Sequence, residues 1–372
     1  MVDTIIGGKN VTKKPVTPVP AGGNGNGRHT PLERVGVGIL GCGYWGVNYV
    51  RAFTELPEAR VVAVCDEQVE RLTMVADRVP AAQLTTKLDE MLELDELDVV
   101  VVCTPAQSHY QVAQRCLEAG KHVLVEKPLT TRHAEAETLD ALAKQNGLVL
   151  MVGHTFIYNP GIRKVKDYVE TKEVGDIYYL YARRTNLGPI RHDVNALWDL
   201  AAHDVSIFNY LLDATPEWAS AVGARVLRNG NEDVGFVVLG YPDGTLGHLH
   251  VSWADPNKVR EVVVVGSDRR IVFNDLDSLE RVRVFDKGVA PSDNGNGNHD
   301  FHHPGFVVRD GDITSPAITA GEPLKIQCAH FVECVTSGRA PLTGAADGAA
   351  VVRVMEAIDR SLARRGAPVR ID

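Results

Sequence analysis

The 372-residue chain has no apolar run long enough to cross a bilayer, and its N-terminus lacks the apolar segment of a secretory signal. Membrane spanning and export are not expected. Lys and Arg form no block, and the formal net charge is -9, so no electrostatic footprint for nucleic acid or an anionic membrane is present. A small-molecule partner is the expectation. The six cysteines (Cys42, Cys65, Cys103, Cys116, Cys328 and Cys334) include no C-x-x-C pair, which excludes a zinc ribbon or a thioredoxin-like motif and suits small buried side chains in a reduced, cytoplasmic setting. Hydrophobic residues at 44% and charged residues at 23% describe a chain able to bury a substantial interior.

Residues 1–33 carry Lys13-Lys14-Pro15 and the run Gly22-Gly23-Asn24-Gly25-Asn26-Gly27, a composition read as a flexible tail. A second such stretch, Pro291 to Asn298, reads as a mobile loop. Its neighbours His299, His302 and His303 lack the further ligands of a closed metal site, so no metal is expected. His248 and His250 alternate on one face of a strand and read as sheet residues.

From Val35 short apolar runs alternate with helical periodicity. Val35 to Leu40, Arg60 to Cys65, Val99 to Cys103, His122 to Val125 and Leu148 to Val152 read as strands, with helices over Gln107 to Ala119 and Ala134 to Gln145. The fold class that follows is α/β, with a doubly wound parallel sheet over residues 34–153. After Gly153 the rhythm changes to successive strands, Ile177 to Arg184, Ala219 to Leu227, Val234 to Tyr241, Thr245 to Trp253, Arg260 to Val265 and Arg281 to Phe285. Two helices close the chain, near Ile326 to Ser337 and Asp347 to Arg364. Residues 154–372 are therefore expected to form an α+β unit with a largely antiparallel open sheet, serving substrate binding and oligomerisation.

Gly41-Cys42-Gly43-Tyr44-Trp45-Gly46 is a G-x-G-x-x-G between a predicted strand and a predicted helix. The first glycine permits a tight turn, the second a close approach of pyrophosphate, and the third close helix-strand packing. With 34 glycines in the chain the motif alone is weak, and Gly36, Gly38 and Gly41 also fit the spacing. That second frame would put glycines inside the strand, and it is rejected. Asp66, at the end of the second strand and about 20 residues beyond Gly46, supplies the acid that can hydrogen-bond ribose hydroxyls. NAD is expected over NADP, although Arg71 lies close enough to soften that preference.

Ligands of open parallel sheets bind beyond the carboxyl ends of the strands. Thr104-Pro105 with His109, and Glu126-Lys127-Pro128, occupy two such ends. Position alone leaves Lys127 open between an ordinary surface lysine and a group that polarises a substrate hydroxyl. In Trp198-Asp199-Leu200-Ala201-Ala202-His203-Asp204, Asp199 and His203 stand four apart, a spacing at which a carboxylate can orient an imidazole as general base.

Together these motifs, in this order and spacing, resemble the glucose-fructose oxidoreductase, inositol dehydrogenase and rhizopine catabolism (Gfo/Idh/MocA) family over nearly everything after the tail. Tyr158-Asn159-Pro160 and Asn186-Leu187-Gly188-Pro189-Ile190-Arg191 are similar to members acting at the third carbon of nucleotide sugars, the UDP-N-acetylglucosamine and UDP-N-acetylglucosaminuronate 3-dehydrogenases. The resemblance implies an NAD-dependent sugar dehydrogenase or ketoreductase. In that reading His203 is the acid/base, Lys127 activates the reacting hydroxyl and Asp199 supports them. It further implies cofactor contacts from Gly41, Gly43, Tyr44, Trp45, Gly46, Asp66, Thr104, Pro105, His109, Glu126, Lys127 and Trp198. Sugar contacts would come from Lys127, Tyr158, Asn159, Arg163, Asn186, Arg191 and His203, with the arginines clamping a diphosphate. A homodimer or homotetramer through the second sheet is also implied. Three other readings stay open: NAD-assisted glycoside hydrolysis, an inositol or free-sugar dehydrogenase, and a cofactor-sensing protein on the same fold.

Overall fold

The computed structural model describes residues 34–191, 193–227, 230–291 and 306–372. The expected tail and the histidine-bearing stretch that ends at His303 lie outside the described residues.

Six parallel strands form the first sheet: β1 (Val35–Leu40), β2 (Ala59–Cys65), β3 (Gln83–Thr85), β4 (Val99–Val102), β5 (His122–Glu126) and β6 (Leu150–Gly153). Their order is β3-β2-β1-β4-β5-β6, so the strand order reverses between β1 and β4. The connecting helices are α1 (Tyr44–Thr54), α2 (Val69–Ala76), α3 (Leu88–Leu92), α4 (His109–Glu118) and α5 (His133–Gln145). Both faces of β1 and β4 are covered, which is why these strands read as continuous apolar runs. The three-residue β3 is too short to leave a periodic signal, and the sequence reading missed it.

Beyond β6, helix α6 (Pro160–Glu170) leads into β7 (Ile177–Leu187) and α7 (Ala202–Leu212). The strands β8 (Trp218–Ala224), β9 (Val234–Gly240), β10 (Leu246–Ser252), β11 (Ala254–Gly266), β12 (Arg270–Asn274) and β13 (Val282–Phe285) follow. A hairpin of β14 (Gly288–Pro291) and β15 (Phe306–Arg309) precedes β16 (Ile313–Thr314), helices α8 (Pro323–Ser337) and α9 (Ala345–Ala363), and β17 (Val369–Arg370). The nine-stranded sheet runs β16-β13-β12-β11-β7-β10-β9-β8-β17. It is mostly antiparallel but mixed, because β7 pairs with β10 in parallel. The strand β12 was not anticipated.

Helices α8 and α9 return to the first sheet. Leu324, Cys328, Phe331 and Val332 of α8 share a core with β1, α1 and β2, while α9 buries Val351, Val352, Val354 and Met355 in a cluster that joins both sheets. The open face of the second sheet leaves Tyr179, Phe236 and Leu246 exposed.

One ion pair is sealed inside this second half. Arg184 of β7 donates from Nε to Asp204 Oδ2 at 3.0 Å and from Nη2 to Oδ1 at 2.7 Å, and both side chains are buried. The guanidinium also lies 4.2 Å from the centre of the Phe156 ring. Removing one partner would strand an uncompensated charge, so Asp204→Ala is expected to lower stability by about 3–5 kcal/mol in urea unfolding.

Candidate functional site

The turn from β1 to α1 is shaped for close backbone approach. Gly41 has φ +87°, and a Cβ there would lie 2.8 Å from the backbone of Cys103; at Gly46 it would lie 1.9 Å from the Gly41 carbonyl oxygen. Only glycine fits either position. No side chain caps α1 and no acid lies in its first turn, so its free N–H groups and partial positive charge face an incoming anion. Asp66 follows β2 and accepts from Cys42 N at 2.6 Å and from Gln68 N at 2.9 Å. Two backbone donors leave further acceptor capacity on this carboxylate for ribose hydroxyls. Arg71 stands 3.5 Å from it. Gly43 opens the helix, and Tyr44 and Trp45, exposed and edge to face, flank the loop. The residues present fit a dinucleotide at the strand reversal.

Beside this loop, His109 is buried with its ring nitrogens 2.7 Å from the Pro128 carbonyl and 2.8 Å from the Thr104 carbonyl. It therefore ties the turn after β4 to the cis Lys127-Pro128 peptide. Pro105 opens the short turn Ala106–Ser108 that carries the chain from Thr104 into α4. Glu126 is buried, accepting from Tyr49 Oη at 2.7 Å and from Lys127 N at 3.1 Å, and burial pushes its carboxyl up from the ordinary range. Trp198 donates from its indole to Asp359 of α9 at 2.8 Å and anchors the loop before α7.

Lys127 leaves β5 and meets Asp199 from the other half of the molecule. Its buried Nζ donates to the Asp199 backbone oxygen at 2.7 Å and to Oδ1 at 3.0 Å. Asp199 sits in a π-helical turn, Leu197–Ala201, and also accepts from Arg191 Nη1 at 3.1 Å and Trp253 Nε1 at 3.2 Å. Burial pushes its carboxyl up, but the Lys127 and Arg191 charges outweigh burial and hold it below the usual range.

The expected Asp199–His203 contact is not formed: among the described residues no hydrogen bond joins the two. The carboxylate is drawn instead to two cations and an indole donor. His203 Nδ1 is buried with no partner among the described residues, and the ring packs edge to face on Phe156 at 5.0 Å. Burial, then the charges of Lys127 and Arg184, push its basicity well down, so the imidazole is neutral at pH 7.

Three residues expected at the sugar have protein partners in this structure. Tyr158 is fully buried, and its hydroxyl lies 3.1 Å from Thr343 Oγ1; Asn159 caps α6 through Gly161 N and donates to Asp275 at 2.9 Å. Arg163 lies over the Tyr158 ring at 5.4 Å. Within the fold the aromatic packs in the core and the amide caps a helix. Asn186 donates to the Gly188 carbonyl, and Arg191 does reach the site but is held by Asp193 and Asp199 rather than left free as a phosphate clamp. Sequence reasoning missed Trp253, the Arg184–Phe156 support and His154, a fully buried imidazole after β6. None of these carries a motif.

Residues 35–154 match the oxidoreductase family with an NAD-binding Rossmann fold, and residues 162–272 match the Gfo/Idh/MocA C-terminal domain. A 4-carboxy-2-hydroxymuconate-6-semialdehyde dehydrogenase from Sphingobium sp. is 32% identical over 47% of this chain, an alignment spanning 58% of that relative's length. A UDP-N-acetylglucosamine 3-dehydrogenase from Acidithiobacillus ferrooxidans is 27% identical over 68% of this chain and 78% of its own. The crystal structure of GenD2 from gentamicin A biosynthesis in complex with NAD superposes with a TM-score of 0.77 at 28% identity, covering 94% of this chain and all of that one. Two successive family domains, a glycine turn that suits a dinucleotide and this structural likeness make the chain an NAD-binding oxidoreductase of the Gfo/Idh/MocA family.

Proposed function

We propose that this oxidoreductase moves hydride between NAD and a ring carbon of a sugar, at the third carbon of a nucleotide-linked (UDP or TDP) sugar. In this reading residues 34–153 hold the dinucleotide, and residues 154–372 supply the sugar side. The observation that carries it is the juxtaposition of Lys127, which gives two of its three N–H donors to Asp199, with the neutral imidazole of His203. The UDP-N-acetylglucosamine 3-dehydrogenase similarity supports the choice of sugar.

The third Lys127 N–H donates to the reacting hydroxyl and stabilises the oxyanion that develops there. His203 takes the hydroxyl proton, or returns it when a ketone is reduced. NAD, when bound, supplies the nicotinamide C4 that exchanges hydride with the same carbon. Asp199 fixes the Lys127 ammonium in place, and Trp253 and Arg191 fix Asp199. Carbinol and ketone therefore differ by one proton at His203 and one hydride on the cofactor.

With UDP-N-acetylglucosamine and NAD, NADH absorbance should accumulate, which separates this reading from NAD-assisted hydrolysis. Lys127→Ala and His203→Ala should each lose about 10²–10⁴-fold in turnover. Near wild-type rates in both would remove the mechanism.

A second expectation concerns pH. The folded-state basicity of His154 is held down to about 4, chiefly by burial and then by Lys127, and that of His203 is also depressed. Below about pH 6.5 the unfolded chain takes up protons that these folded imidazoles refuse. Stability is thus complete above pH 6.5 and lost as pH falls toward 4, by up to about 1.4 kcal/mol per pH unit for each such histidine. Urea midpoints measured between pH 7 and 4.5 should fall, and His154→Phe should reduce the slope.

A further inference from the structure

Glu126 and Gly153 pair in the parallel register of β5 and β6, so the next residues, Lys127 and His154, leave the sheet side by side at its carboxyl edge. The His154 backbone is satisfied: its N–H donates to Val152 O at 2.8 Å, and its carbonyl accepts from Ile157 N at 3.0 Å. Its side chain is not. The residue is 1% exposed, and neither Nδ1 nor Nε2 has a hydrogen-bond partner among the described residues. His109, equally buried two strands away, has a carbonyl against each ring nitrogen. A buried polar group left without partners costs stability, and such groups persist where a ligand completes them.

Its place in the sheet indicates which ligand. With the glycine turn after β1 and Asp66 after β2 fitted to hold the pyrophosphate and the adenine-side ribose, the nicotinamide half would be held on the other side of the strand reversal, toward the ends of β4, β5 and β6. His154 stands at the last of these ends, next to the lysine that meets the reacting oxygen. Burial and Lys127 hold the ring at about 4, so at pH 7 it brings a donor and an acceptor but no second charge beside an oxidised nicotinamide.

We propose that His154 is a cofactor-contact residue, one of its ring nitrogens hydrogen-bonding the carboxamide of the bound nicotinamide. The assignment does not depend on which sugar is oxidised. A phenylalanine of similar shape would remove both orphan nitrogens and leave the fold at least as stable at pH 7, so cofactor affinity and stability should move apart.

Calorimetric titration of the full chain with NADH and with ADP-ribose, which lacks the nicotinamide, tests this. His154→Phe should weaken NADH by about tenfold while ADP-ribose stays within roughly twofold of wild type, and His154→Gln should recover most of the loss. An unchanged NADH affinity in His154→Phe, or an equal loss for ADP-ribose, would overturn the assignment. Should the phenylalanine variant not fold, His154→Ala is judged by the same two titrations.

Discussion

The pairing of Lys127 with Asp199 joins the two halves at the point where chemistry is expected. Lys127 is delivered from the end of β5 and Asp199 by a π-helical turn before α7. Because the ammonium also donates to the Asp199 backbone oxygen, it is located by two acceptors with different directions. Arg191 and Trp253 then occupy the remaining reach of the carboxylate. The consequence is a lysine with a fixed direction rather than a flexible surface cation. Orientation of this kind costs nothing at the moment of reaction.

Around that pair the interior is polar and incompletely satisfied. His203 is propped by Phe156, which lies under Arg184, whose charge is neutralised by Asp204 beside His203 itself. Two imidazoles, His154 and His203, keep buried nitrogens with no partner among the described residues. A site tuned only for stability would have filled these positions with apolar groups. Burial keeps both rings neutral at pH 7, and the same burial makes the protein sensitive to acid.

How much of this could be read in advance depended on the range of the interactions. The glycine turn and Asp66 were legible because both lie within one βαβ unit, at spacings set by local geometry. Lys127 and His203 were legible as residue types at strand and helix ends. Asp199 was recognised but paired with the wrong partner: spacing along the chain favoured His203, while the fold brings Lys127 from 72 residues away. Tyr158 and Asn159, whose motif suggested ligand contacts, are engaged by the protein itself: Tyr158 packs against Thr343 and Asn159 caps α6. β3 was too short for periodicity, and the parallel β7–β10 pairing is a topological fact with no local signature. His154 had no signal, because an orphaned nitrogen is defined by what is absent around it.

The central claim is that Lys127, aligned by Asp199, and His203 face the same reacting oxygen. A crystal structure of the chain with NADH and UDP-N-acetylglucosamine tests it most directly. The account predicts one sugar-ring oxygen within hydrogen-bond distance of both Lys127 Nζ and an imidazole nitrogen of His203, with the Lys127–Asp199 pair intact. A sugar ring bound with Lys127 still engaged only by protein groups, or an oxygen reached by neither side chain, would contradict it.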